Sequence, residues 1–504
     1  MVLTAGAFPS FDLDSFSVPK ELVLHFVAFL AGVTVLFTVP SFRPRRVDVW
    51  LVLFVGLGTA SALLATNGWL AGRALAVSVS GIVLFGAARG LRAVGLARPL
   101  RAALALMVVL AAAVALAEAY GLRLPVFAEN RVPGGTLGNR NSVGHLAAMG
   151  LPMVVLVAAG SRKAAGVLPG LLGTAVVVAA LVLTRSRAAW LGTGAVLAVL
   201  LLGVLAVVVR FRAWRLLGRF ALAGVLGAAG AVAAVTLPNT LRWNSADPYA
   251  ETAQRVLNYR EGSGHGRLVQ YRTSLRLLGS NPVLGVGPGN WPVAYPAYAL
   301  ARDPSMGPEA GRTMNPWPSS DLVALLVERG PPALLIWLLV VAGLARGAWR
   351  GFRHAAEADE ALGAVALFAV LTGTLVVGAL DAVLLLAWPA YFFWTAAGVL
   401  WPEEHGAEIR ASVGVRCVVL GLLVLGAAAG FVRSAGQLGA MALYDFRSGR
   451  TDLETAARLD PGNYRVRVRL GQAGSRAERC EHAVAARDLF PHAALAQRLA
   501  RRCP

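Results

Sequence analysis

Residues 165–209 begin Ala165-Gly-Val-Leu-Pro-Gly-Leu-Leu-Gly-Thr-Ala-Val-Val-Val-Ala-Ala-Leu-Val-Leu-Thr184 and pass through Arg185-Ser186-Arg187. They continue Ala188-Ala-Trp-Leu-Gly-Thr-Gly-Ala-Val-Leu-Ala-Val-Leu-Leu-Leu-Gly-Val-Leu-Ala-Val-Val-Val209. Each apolar run holds no charge for about 20 residues, the length a helix needs to cross a ~30 Å hydrocarbon core. In lipid a helix satisfies its own backbone N–H and C=O groups. The stretch therefore predicts two spanning helices joined by a turn that carries two arginines.

The same pattern recurs along the chain. There are about twelve such runs, near 21–40, 47–65, 68–86, 99–118, 143–160, 165–184, 189–209, 218–236, 322–345, 361–379, 382–400 and 413–431. A chain of 504 residues with 57% hydrophobic and 15% charged residues is not an ordinary soluble domain. The expected class is an all-α polytopic membrane protein with about 12 transmembrane helices. Residues 1–20 carry Asp12 and Asp14 and lack the charged start and cleavage site of a signal peptide, so the first span is expected to be retained.

A net charge of +20 raises the question of nucleic acid, and its placement answers it. Clusters occur in alternate connections: Arg43, Arg45 and Arg46; Arg89, Arg92 and Arg98; Arg162 and Lys163; Arg210, Arg212, Arg215 and Arg219; Arg346, Arg350 and Arg353. Positive charge prefers the cytoplasmic side. Both termini and the polar stretch 237–320 are then extracytoplasmic, and nucleic acid is not an expected partner. The domain reading is an extracytoplasmic segment 1–20, a membrane domain 21–436 that includes the loop 237–320, and a helical tail 440–504.

In the tail, Asp460-Pro461 is similar to a junction between tetratricopeptide repeats, and Leu489-Phe490-Pro491-His492 echoes it about 30 residues on. The alternative is a plain helical hairpin, and either form would be an interaction or capping element for a protein partner. Cys480 and Cys503 fall in an oxidising compartment on this topology. They are either disulfide-bonded or two free thiols, whereas Cys417 is read as packing within the last span.

Four places could carry chemistry. Arg185 and Arg187 sit where topology disfavours positive charge, so they are paired, face a wet cavity, or snorkel to the interface. Arginine grips phosphate or carboxylate through two donors. Gly134-Gly-Thr-Leu-Gly-Asn139-Arg140-Asn141 offers backbone freedom, amides and a cation at a span entrance, and also reads as an ordinary helix start. In the long loop a helix-like run from Gly264 carries Arg267, Arg272 and Arg276. Trp291, Tyr295, Tyr298 and Trp317 could stack on sugar rings or simply belong to the interfacial aromatic belt. Asp381, between two spans, could orient an arginine or a hydroxyl, or cap a helix. No metal-ligand spacing, Walker loop or dinucleotide fingerprint is present, so no cofactor is expected.

Taken in order, Gly135-Thr-Leu-Gly-Asn139-Arg-Asn141, Ser186-Arg187-Ala-Ala-Trp190-Leu-Gly192, Arg267 ahead of Asn281-Pro-Val-Leu-Gly285-Val-Gly287, and Asp321 through Glu328-Arg329-Gly330 resemble the O-antigen ligase and polymerase family of bacterial envelope proteins. The resemblance spans roughly residues 130–400. It implies a metal-independent glycosyltransferase of the bacterial inner membrane, with its large loop and tail periplasmic. That enzyme would move glycan from an undecaprenyl diphosphate donor to a lipid or glycan acceptor. Arg187 and Arg267 would hold the carrier diphosphate and stabilise the leaving group. Where ligases of the family usually have histidine, this chain has Ser319, followed by Ser320 and Asp321. Serine is a poor base at neutral pH, so Asp321 or Asp381 would have to help the acceptor hydroxyl. This departure points toward a polymerase or a divergent transferase. Two other readings are a flippase for a similar anionic lipid, which would place its site near mid-membrane, and a catalytically silent envelope protein.

Overall fold

The computed structural model describes residues 1–38, 43–127, 131–161, 164–258, 260–402, 409–447 and 449–503; Arg162 and Lys163 of the basic set lie outside them. Among the described residues the fold is all helical, with one isolated backbone bridge between Met306 and Thr313. The membrane part begins with α1 (Asp12–Leu36), α2 (Arg46–Ala62), α3 (Gly68–Ala93), α4 (Ala97–Ala119), α5 (Arg140–Gly160), α6 (Ala164–Thr184), α7 (Arg187–Phe211) and α8 (Trp214–Thr236). The polar stretch folds as α9 (Pro248–Gln254), α10 (Gly262–Leu278) and α11 (Trp291–Ala294). The chain returns through α12 (Asp321–His354), α13 (Ala358–Leu380), α14 (Ala387–Leu400) and α15 (Val413–Phe446). The tail is α16 (Arg450–Leu459), α17 (Tyr464–Gln472), α18 (Arg476–Leu489) and α19 (Ala494–Ala500).

Ten of these helices are long and apolar enough to cross a membrane. The two other expected spans are shorter: α2 has 17 residues and α14 has 14. The run expected at 382–400 starts its helix only at Ala387, because residues 381–386 form a turn. The Asp321 carboxylate accepts the N–H groups of Val383 (2.9 Å) and Leu384 (3.1 Å) and holds that turn open. At the N-terminus the difference runs the other way. α1 starts at Asp12 rather than near 21, and Lys20 is fully buried, donating to the carbonyls of Thr4, Phe16 and Thr136. Cys417, read as packing, lies on the exposed face of α15.

Arginine contacts gather one end of the helices. Arg89 binds Asp48 at 2.7 Å, Arg92 donates to the Trp401 carbonyl, and Arg210 donates to the carbonyls of Phe352 and Ala355. Arg219 reaches the carbonyls of Ala159 and Ser161 at the same end. The N-terminal residues, the 237–320 stretch and the tail meet at the opposite end: Thr136 donates to the Val2 carbonyl, and the Ala494 N–H bonds the Ala310 carbonyl at 2.9 Å.

Near that second end α12 breaks. Gly330 has φ 80°, and a Cβ there would strike the Val283 carbonyl; Pro331 and Pro332 follow. Gly285 (φ 68°) is pressed against the Val327 carbonyl in the same way, so both glycines let the 281–291 loop dock on the helix. The Glu328 carboxylate completes the dock by accepting the N–H groups of Gly289 and Trp291. In the tail, Asp460-Pro461 separates α16 from α17 and Phe490-Pro491 separates α18 from α19, with a disulfide joining Cys480 to Cys503.

Candidate active site

The helix-like run at Gly264 is α10, and it forms one wall of a cleft of about 490 Å³. Arg267, Gln270 and Ser263 project from this wall. Asn139 and Asn141 contribute from the start of α5, Asp381 from the turn before α14, Trp388 from the first turn of α14, and Asn315, Trp317 and Ser319 from the end of the loop. Asn139 enters the cleft as the helix cap of α5, its side chain accepting the Asn141 N–H at 3.0 Å. Ser319 is fixed through its backbone: its N–H bonds Gln270 (2.6 Å) and its carbonyl accepts the Tyr271 hydroxyl (2.6 Å). The Ser319 side chain is left to line the cleft.

The central charged contact is an ion pair between Arg267 Nη2 and Asp381 Oδ2 at 3.2 Å. Both side chains are largely buried, with 14% and 15% exposure, so the pair sits at a dry rim of the cleft rather than in open solvent. The buried His145 of α5 stands behind it, with Nε2 3.7 Å from the same Asp381 oxygen.

A second hollow of about 350 Å³ adjoins the cleft and shares Gly262 and Ser263 as its wall. Arg140, Arg185, Arg187 and Arg255 line it, opposed by Glu251 and Glu261. Arg185 has φ 51° and binds Thr252 (2.8 Å) and Glu251 (3.2 Å). Arg140 and Arg185 both lie against the Trp243 ring, at 4.9 and 4.8 Å from its centroid. Arg187, at the first turn of α7, donates to the carbonyls of Arg255 (3.1 Å) and Asn258 (2.8 Å) and to the Ser263 hydroxyl (2.8 Å). Four guanidinium groups beside two carboxylates leave the hollow with an excess of positive charge, suited to a multiply charged anion.

Two expected site residues face elsewhere. The Asp321 carboxylate is buried and taken up by backbone N–H groups of the turn before α14, so it lies away from the cleft. Trp291 is fully buried, its Nε1–H donated to Ser274 and its ring 4.4 Å from that of Tyr295, so it is core and cannot stack on a sugar. Tyr295 is equally buried; burial pushes its phenol up to about 12. Arg131, Gln270 and Trp388 line the cleft and Trp243 the arginine hollow's edge without having been singled out from the sequence. Arg131 and Trp243 lie in polar connections that were already suspect. Trp388 begins an apolar helix and carries no local signal. Among the described residues no group of three or more His, Cys, Asp or Glu side chains is placed to hold a metal ion.

Residues 147–338 match the family model described as O-antigen ligase. Over that segment the chain is similar to O-antigen ligase. The matched segment takes in Arg185, Arg187, Arg267, Trp317 and Ser319, the core residues Trp291 and Asp321, and all of the 237–320 stretch. It stops short of Asn139, Arg140, Asn141, His145 and Asp381, which the fold brings to the same place. No curated protein matches the sequence. A segment similar to O-antigen ligase within a bundle of apolar helices supports a multi-pass membrane protein of glycosyltransferase-like kind, in keeping with polysaccharide biosynthesis.

Proposed function

We propose that the protein transfers or polymerises glycan from an undecaprenyl diphosphate donor at the extracytoplasmic face of a bacterial cytoplasmic membrane. The observation that carries this reading is the adjacency of the two hollows: an arginine-lined pocket shares the Gly262 and Ser263 wall with a cleft holding Arg267, Asp381, Ser319 and Trp317. The pocket suits the donor diphosphate, with Arg140, Arg185 and Arg187 neutralising it, and Arg267 reaches from the cleft side toward the bridging oxygen. Trp317 offers a ring face to the sugar.

The acceptor hydroxyl attacks the anomeric carbon. A new C–O bond forms as the bond to the diphosphate oxygen breaks, and the electron pair leaves on the diphosphate. The hydroxyl proton goes to Asp381, the carboxylate on the cleft wall. Ser319 would orient the acceptor by a hydrogen bond and take no proton. A site at one end of the helices favours transfer over transport. With Ser319 where the family's ligases have histidine, polymerisation of a growing chain is favoured over attachment to lipid A-core.

The test replaces Arg187 or Arg267 with Ala and reads surface polysaccharide length on a gel at matched protein level. The expected result is a collapse to single repeat units. Unchanged length and attachment in both variants overturn the proposal. Full-length polymer retained on the carrier would instead assign a ligase.

A further inference from the structure

Asp381 has one oxygen that is anchored and one that is contested. Oδ1 accepts the N–H of the next residue, Ala382, at 2.9 Å. Oδ2 faces two side chains at once: Arg267 Nη2 at 3.2 Å from the cleft side and His145 Nε2 at 3.7 Å from inside the bundle. The His145 ring is buried, and its Nε2 makes no hydrogen bond at that distance. A movement of about 1 Å would bring the pair within hydrogen-bond range. A bare Nε2 would set one lone pair against another, so an exchange of partners at Asp381 calls for the ring proton on Nε2. The transferase reading gives this histidine no role.

We propose that His145 is a positioning residue that takes over Asp381 when the donor draws Arg267 away; the inference rests on the transferase reading. A diphosphate carries more negative charge than a carboxylate, and guanidinium binds phosphate oxygens through two donors. When the donor fills the adjoining pocket, Arg267 turns from Asp381 to the leaving group. A carboxylate left alone in a dry site is costly, and His145 Nε2–H is the donor already aimed at it. The exchange also changes the chemistry of Asp381. With Arg267 turned away and His145 on the inner side, the cleft-side lone pair of Oδ2 is free to face the acceptor hydroxyl. The base is thus armed only when donor is present, which protects the carrier from water. In the transfer step Asp381 Oδ2 receives the acceptor hydroxyl's proton, and His145 keeps its own.

The test uses the purified full-length protein in detergent with ring-labelled histidine, the His145 signal being assigned by its loss in His145→Gln. The first probe is undecaprenyl diphosphate without sugar. The expected result is a shift of the His145 ring signal in the wild type, and in Arg267→Ala the shifted position is already occupied before any ligand is added. The second readout is glycan transfer. His145→Phe is expected to lower kcat about 10- to 100-fold with the donor KM within about three-fold, and His145→Gln, which can still donate an N–H, to regain part of the loss. Thermal unfolding matching the wild type shows that both variants are folded. A wild-type ring signal unmoved by the carrier, or equal kinetics in the Phe and Gln variants, overturns the exchange. Wild-type protein that shows the shift yet transfers no sugar overturns the transferase reading and upholds the exchange. Transfer without the shift does the reverse.

Discussion

The Arg312 guanidinium lies 4.3 Å from the centre of the Tyr464 ring, joining the 237–320 stretch to the tail. The Phe490 ring flanks it at 4.7 Å, and the Tyr464 hydroxyl donates to Glu309. Burial holds the Arg312 guanidinium below its ordinary value and pushes the Tyr464 phenol up, as expected for groups taken out of water together. The tail is thereby clamped to the segment that leads into Asn315, Trp317 and Ser319 of the cleft wall. Arg312→Ala should cost the clamp about 2 kcal/mol, with Arg312→Lys recovering part of it. Amide exchange across residues 450–503 would read the loss, and faster exchange confined to the tail and to residues 303–319 is the expected outcome.

Trp291 and Trp317 should separate cleanly. Trp291→Ala removes a fully buried indole from the cluster of Leu277, Val286, Tyr295 and Val327 and should cost ~3–5 kcal/mol. It would appear as a lower unfolding temperature. Trp317→Ala should leave the unfolding temperature within a few degrees and raise the KM for the glycan donor instead.

Asp321 is predicted to act through the fold. Asp321→Ala leaves the Val383 and Leu384 N–H groups without their acceptor and should destabilise by about 2–3 kcal/mol. Asp321→Asn keeps an acceptor oxygen and should retain most of the stability and activity. Equal inactivity of the Asn and Ala variants, at unchanged thermal stability, would contradict this.

The Cys480–Cys503 disulfide closes a loop with a sequence separation of 23. Its removal in Cys480→Ser, or its reduction in the wild type, should destabilise α18 and α19 by about 3 kcal/mol. Limited proteolysis would show earlier cleavage in residues 476–503, with α1–α15 as resistant as before.

The apolar runs, the alternating basic turns and the helix at Gly264 were legible because each depends on neighbours within one helix or one turn. The same local reading misjudged two residues of the candidate site. Trp291 had the composition of an interfacial aromatic and is core, because α10 and α12 fold over it. Asp321 had the look of a base beside Ser319, and a turn 62 residues away consumes its carboxylate. Arg187 was singled out by an unfavourable position, a local signal, although its partners at Arg255, Asn258 and Ser263 were not readable.

By itself the sequence determined that the chain is helical, with runs long and apolar enough to cross a membrane and one long polar stretch between them. Hydropathy and charge act residue by residue against lipid and water, so a linear pattern suffices for them. Only the tertiary structure decided which polar groups face one another. Arg267 and Asp381 are 114 residues apart, and the pairing depends on α10 folding back over the α13–α14 turn. A hydrogen bond or ion pair is set by distances of a few ångströms, and no local pattern carries that information across separate helices.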